Sequence, residues 1–194
     1  SLTELSDAAA ESLAKHAGAL DLSGLEKLSA RQAEALASHA RWRLQLDGLT
    51  SISDTVAKAF ATHAGQLTLN GLMALSDAQA DALAKHRGPL SLQGIRSLTD
   101  AQAKAFGTHA HGLFLDGLTA LSDAQAAAFA ESEIRWLSLN GLVHVSDTQA
   151  EALSTCRCHS LRLDGLRTLS VAQARALARH ASSGFDPASK ASIL

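Results

Sequence analysis

Three sets of residues in this 194-residue chain are of types that could do chemistry. The first is a histidine series, His16, His39, His63, His86, His109 and His180, of which the first five recur every 23 or 24 residues. Imidazoles in a column could bind metal or sense pH near neutrality. Ligands for one ion must converge, however, and an evenly spaced series does not. The same residues could instead complete helix ends, donating to terminal carbonyls. The second set is Cys156-Arg157-Cys158-His159, with His180 one period further on. Cys156, Cys158, His159 and His180 together would supply the four soft ligands of a zinc site. Against that, C-x-C is tighter than the C-x₂₋₄-C of structural zinc sites, and a disulfide closing so small a ring would be strained. Two idle thiols are the alternative. The third set is Asp47, Asn70, Asp116, Asn140 and Asp164, each followed by Gly. Calcium would use such oxygens, but Asp-Gly and Asn-Gly are also turn formers through positive φ, and the turn is the expected role. No nucleophile elbow, metalloprotease helix, phosphate loop or dinucleotide fingerprint is present, so no catalytic residue and no cofactor is expected.

All three sets sit at fixed places in a repeat. The segment L-x-L-x-G-L begins at Leu20, Leu44, Leu67, Leu90, Leu113, Leu137 and Leu161, and a partial unit starts at Leu2. A constant period of this length marks a solenoid, whose units bury their apolar sides against one another. Each unit has two halves. Leu-x-Leu alternates like a short strand with one face inward. After the turn, a cap and capping-box partner open a helix: Ser29/Gln32, Ser76/Gln79, Thr99/Gln102, Ser122/Gln125, Ser146/Gln149 and Ser170/Gln173. Asp54, Asp77, Asp100, Asp123 and Asp147 place negative charge in the first helical turn. Ala80, Leu83 and Ala84 share one face at helical spacing, with Phe60, Phe106 and Phe129 in the Leu83 slot of their own units. Gly18, Gly65 and Gly88 are expected to stop their helices.

A strand that returns through one helix to the next strand gives a parallel sheet. Strands pack ~4.8 Å apart and helices roughly 8–10 Å apart, so the sheet side is shorter and the stack curves toward it. The expected fold is α/β: a curved solenoid of seven full repeats and a partial N-terminal one. Its parallel sheet lies on the concave side and its short α-helices on the convex side. Residues 1–194 read as one domain, with 1–19 the partial repeat and 181–194 a C-terminal tail or cap in which Phe185 plugs the last gap. The start within a unit and the open ends suggest a piece of a longer array, or self-association through the ends.

The pattern L-x-L-x-G-L-x-x-L-S-D-x-x-A-x-x-L-A-x-H-x-G resembles leucine-rich repeats, specifically the short bacterial, planctomycete-type variety, from Leu2 to about His180. This chain departs from the usual pattern in carrying Leu72 and its equivalents where Asn or Cys is expected. The resemblance implies a protein-binding concave surface and no enzymatic activity.

Composition is consistent with that reading. A net charge of −2, from 17 basic and 19 acidic side chains, removes the electrostatic argument for nucleic acid or an anionic membrane. Two cysteines cannot staple a chain of this size. No apolar run reaches the ~18 residues of a membrane span. The polar first twenty residues show no signal peptide, so a cytoplasmic location is favoured.

The outward strand positions, which the repeat leaves free, are the expected binding surface: Arg43, Gln45, Thr68, Phe114, Trp136 and Arg162. Phe114 and Trp136 fall on adjacent strands, offset diagonally, with Arg162 on the next. Exposed aromatics beside an arginine have the composition of an interface hot spot. The alternative is that Trp136, like Trp42, folds into a lengthened turn and joins the core. The functional expectation is therefore a non-enzymatic module for a protein or peptide. A structural spacer within a larger repeat protein and a metal-binding protein built on the Cys-His cluster are its alternatives.

Overall fold

The computed structural model describes residues 2–39 and 42–182. Eight helices alternate with seven strands among these residues. The helices are α1 (Asp7–Leu13), α2 (Ala30–Ala37), α3 (Asp54–Phe60), α4 (Asp77–Leu83), α5 (Asp100–Phe106), α6 (Asp123–Ala130), α7 (Asp147–Ser154) and α8 (Val171–Ser182). The strands are β1 (Leu20–Asp21), β2 (Leu44–Gln45), β3 (Leu67–Thr68), β4 (Leu90–Ser91), β5 (Gly112–Phe114), β6 (Trp136–Ser138) and β7 (Ser160–Arg162). They form one open parallel sheet in sequence order, each first Leu in register with the next. The expected α/β repeat solenoid is the observed architecture. Phe185 and the rest of the tail beyond residue 182 lie outside the described residues.

The core is a set of columns. Leu44, Leu67, Leu90, Leu113 and Leu137 line up along the sheet, Leu46, Leu69, Leu92, Leu115 and Leu139 beside them, and Phe60, Phe106 and Phe129 plug the helix side. All are almost wholly sealed from water. Every helix from α1 to α7 starts at a Ser or Thr whose hydroxyl accepts the amide three residues on. The reciprocal glutamine bond is present in all six predicted capping boxes.

Those caps do more than end helices. The Gln amide nitrogen of each box crosses to the preceding repeat and donates to a carbonyl there: Gln32 to Leu5, Gln79 to Ile52, Gln102 to Leu75, Gln125 to Leu98, Gln149 to Leu121 and Gln173 to Val145. The cap hydroxyl donates to the first-turn Asp of the previous helix, as Ser76 does to Asp54 and Thr99 to Asp77, a pattern continuing through Ser122, Ser146 and Ser170. A third ladder runs along the turns. Asp47 accepts from the Asn70 amide, Asn70 from Gln93, Asp116 from Asn140 and Asn140 from Asp164.

Two expectations need correction. The Asp/Asn residues are rungs between repeats as well as turn residues. The glycines after them do not adopt positive φ; among the described residues only Gly18 does, at +147°. They are required because the preceding repeat's backbone passes too close for a side chain. A Cβ on Gly71 would lie 2.2 Å from the Asp47 carbonyl oxygen, and one on Gly117 2.2 Å from that of Gln93. Gly65 and Gly88 do not end helices by positive φ either. A Cβ on Gly88 would sit 2.1 Å from the Gly65 carbonyl oxygen, again a limit of stacking.

Among the described residues one joint lacks all three ladders. In the repeat of β1 and α2 the turn residue is Ser23 and the first helical residue is Ala30, where the later repeats have Asp or Asn, except Gln93, and then Asp, except Val171. In the repeat of β2 and α3 the glutamine slot holds Val56, which is buried. The Ser53 hydroxyl turns to Thr55 of its own helix instead of crossing the joint, and Ser23 turns to Asp21 of its own repeat. Backbone bonds from Leu20 to Arg43 and from Leu22 to Gln45, at 2.9 and 2.8 Å, and the leucine core hold this joint.

Candidate functional site

Because side chains alternate along a strand, the residues flanking each buried first Leu lie together on the sheet's outer face. Most are small. Thr68, Ser91 and Ser138 are nearly buried at 7%, 4% and 3% exposure, as expected on the inside of a curve whose strands are two or three residues long. The Ser91 hydroxyl is taken up by Asn70 and the Ser138 hydroxyl by Asp116. The Thr68 hydroxyl is buried with no partner among the described residues. Gln45 is half-buried and donates to Asp47, while Arg43 is exposed.

The aromatic pair stands apart. Gly112 is in register with Trp136, and Phe114 with Ser138. A Cβ built on Gly112 would meet Phe114 Cε2 at 3.3 Å and Trp136 Cε3 at 3.4 Å. The two rings therefore flank the one outward position with no side chain, and its absence gives them room. Trp136 is 46% exposed and Phe114 half-buried. The alternative reading, in which Trp136 joins the core, does not hold; Trp42 is also on the surface, at 51%. Arg162 is exposed and lies in register with Ser138, completing Phe114–Ser138–Arg162 across three adjacent strands. Of the six predicted residues, the structure brings together Phe114, Trp136 and Arg162. Arg43, Gln45 and Thr68 lie on β2 and at its edge and on β3, beyond β4, with Thr68 in the floor of the sheet. On the helix side, an open groove of about 500 Å³ between α5 and α6 is lined by Asp100, Lys104, Gly107, Thr108, Ala128 and Glu131 among others.

The histidines form a structural column. His39, His63, His86 and His109 are sealed from water and their rings stack at centroid distances of 6.3, 5.7 and 6.3 Å. His86 faces the Phe60 and Gly65 carbonyls through its two ring nitrogens, each at 3.0 Å, and His109 faces those of Ala84 and Gly112 at 3.2 and 3.3 Å. A neutral imidazole can donate to only one of its two carbonyls. His39 faces the His16 and Gly18 carbonyls and His63 those of Ala37 and Trp42, without closing a hydrogen bond among the described residues. Burial pushes all four below the ordinary histidine value, partly offset by the facing carbonyls. His16 is exposed.

Cys156 and Cys158 are buried free thiols. The Cys158 amide donates to Cys156 Sγ at 3.3 Å, and Cys158 Sγ lies 3.8 Å from His180 Nε2. The Cys158 hydrogen bond lowers the Cys156 thiol, while Cys156 and burial push Cys158 strongly up. His159 is exposed. Among the described residues no group of three or more His, Cys, Asp or Glu side chains has the arrangement of a metal site, so neither the zinc nor the calcium reading gains geometric support.

The fold and this face define a strand–helix repeat solenoid carrying a single aromatic platform. No family model, curated protein or solved structure matches the chain. Among the described residues no helix is long and apolar enough to cross a membrane.

Proposed function

We propose that the protein is a non-enzymatic interaction module of leucine-rich-repeat type that holds a protein or peptide on its concave sheet. The observation that carries this is the Phe114–Trp136 pair, two rings side by side over Gly112 with the small residues Ser91, Ser138 and Ser160 next to them on the neighbouring strand positions. A large aromatic left half in water has no role in the core, and truncating such a residue at an interface costs about 2 kcal/mol or more, roughly 30-fold in affinity. The small neighbours Ser91, Ser138 and Ser160 give an incoming chain close access to the rings. The hydrogen bonds of the Ser91 and Ser138 hydroxyls keep the floor rigid, which lowers the ordering cost of binding.

The test is selection of a random peptide-display library on the wild-type chain and on a Phe114→Ala/Trp136→Ala variant, with circular dichroism confirming that both fold. The wild type enriches a peptide class that the variant binds at least tenfold more weakly. Equal enrichment by both proteins, or none by the wild type, would remove the site and leave the spacer reading in its place.

A further inference from the structure

We infer that the segment bound on this face is acidic: an extended peptide with one aromatic or large aliphatic side chain on the Phe114–Trp136 platform and a carboxylate about three residues away on Arg162. This rests on the reading of the face given above and adds the chemistry of its occupant.

The spacing follows from the register. Phe114, Ser138 and Arg162 occupy equivalent positions on β5, β6 and β7. Two inter-strand steps of ~4.8 Å put Arg162 roughly 10 Å from Phe114, and an extended peptide covers that distance in about three residues. Ser138 lies between them, small and nearly buried with its hydroxyl bound to Asp116, so no side chain rises to interrupt the path. Trp136 is likewise bordered by Gly112 and Ser160, one on each neighbouring strand.

The charge pattern selects the partner. Arg162 and Arg135, the residue before Trp136, are both exposed, and neither takes part in an ion pair among the described residues. Between residues 135 and 182 arginines outnumber carboxylates two to one, whereas the chain before them has an acidic excess. The carboxylate under this part of the face, Asp116, is half-buried and already accepts from the Ser138 hydroxyl, the Asn140 amide and Gln93. Asp164 sits on the following turn with no ion pair to Arg162. A basic peptide would therefore meet an uncompensated cation on strands β5 to β7, which carry no carboxylate, the exposed Asp164 lying on the turn beyond β7. A guanidinium also takes a carboxylate in a two-pronged grip, which fixes the direction of the bound chain. A single-stranded nucleic acid would share the stacking and the negative charge, but following a phosphate backbone takes a row of cations, and this face has one arginine on its strands.

The experiment reads the composition of the peptides selected above. Asp or Glu should be enriched three residues from an aromatic or large aliphatic residue. With Arg162→Glu the acidic preference should disappear or reverse toward Lys and Arg while the aromatic preference persists. Binding of a selected peptide, followed by Trp136 fluorescence in a Trp42→Phe background, should weaken at least tenfold when its acid is changed to the amide, and weaken further with added salt. Aromatic enrichment without acidic bias, or an acidic bias unchanged by Arg162→Glu, would overturn the inference while leaving the site standing. Oligothymidylate quenching Trp136 more tightly than any selected peptide would overturn it in favour of nucleic acid. Loss of all enrichment would instead refute the interaction face itself.

Discussion

The joint between the β1/α2 and β2/α3 repeats should open before the rest of the stack, and its weakness can be sized from what it lacks. At later joints a glutamine amide crosses to a carbonyl at 2.8–3.1 Å and a cap hydroxyl reaches an Asp at 2.7–3.3 Å. The first bond is partly buried and contributes about 1 kcal/mol; the second is exposed and contributes less. Val56 buries methyl groups where the other repeats bury a glutamine stem, so the apolar contributions are close and the polar ones decide. The deficit is about 1–3 kcal/mol, roughly 5- to 150-fold in the opening equilibrium. Gln32 and Arg31 tie α2 to α1 through Leu5, Asp7 and Glu11, so the two helices and β1 should detach as one block. Native-state hydrogen exchange reads this directly. The Leu20 and Leu22 amides are held only across this joint, by Arg43 and Gln45, and the Leu69 and Leu115 amides report intact joints to Ser91 and Ser138. Leu20 and Leu22 should exchange tenfold or more faster, and Ala30→Asp/Val56→Gln should slow them about tenfold by supplying the missing acceptor and donor. Simple fraying is controlled at the other end, where Gln173 and Ser170 keep both bonds to the preceding repeat. Equal protection of the two pairs, or repair without effect on Leu20 and Leu22, would refute the argument.

Two further outcomes follow from the stacking. Gly117→Ala must push its Cβ away from the Gln93 and Ile95 carbonyl oxygens, 2.2 and 2.5 Å distant, and should destabilise the fold by about 3 kcal/mol in urea denaturation. His39, His63, His86 and His109 are held below their ordinary value by burial, so the unfolded chain takes up protons before the folded one. Their contribution to stability is complete above the unfolded histidine value near 6.5 and is lost as pH falls below it, by up to about 1.4 kcal/mol per pH unit for each fully buried ring. The urea midpoint should therefore drop steeply from pH 7 to 5, and less so in His86→Asn; a flat profile would contradict the burial argument.

The fold was legible because its signals are local to one repeat. Alternating leucines, Asx-Gly turns and capping boxes each satisfy groups within about ten residues, so inspection of one unit is enough to place a strand, a turn and a helix. Bonds between repeats were not legible in the same way. Gln79 has the same identity whether it only closes a box on Ser76 or also crosses to Ile52, and the glycine after Asn70 looks the same whether it serves φ or clearance. The site was half legible. Alternation assigns Phe114 and Trp136 to the outer face, but whether an aromatic there lies flat, folds inward or stands free depends on its neighbours' sizes. The useful signal was Gly112, a residue without a side chain in register with a tryptophan.

Departures from a repeat carry different meanings according to which column they break. In the ladder columns each residue bonds to the next repeat, so a substitution such as Ala30 or Val56 removes a bond and has to be read as a change in stability along the stack. On the outer face Ser91 and Ser138 are tied to the turn ladder, but among the described residues no rung runs through the side chains of Trp136 and Arg162, so these two cost the fold little and are free to be set by something outside it. This separates the two irregular regions by cause. The joint near α2 concerns how the chain opens, and the platform on β5 to β7 concerns what it touches. The joints from β5 through β7 keep their glutamine and cap-hydroxyl rungs. The binding face is thus carried by a part of the stack whose ladders are intact, which holds the two rings and Arg162 at fixed spacing before any partner arrives.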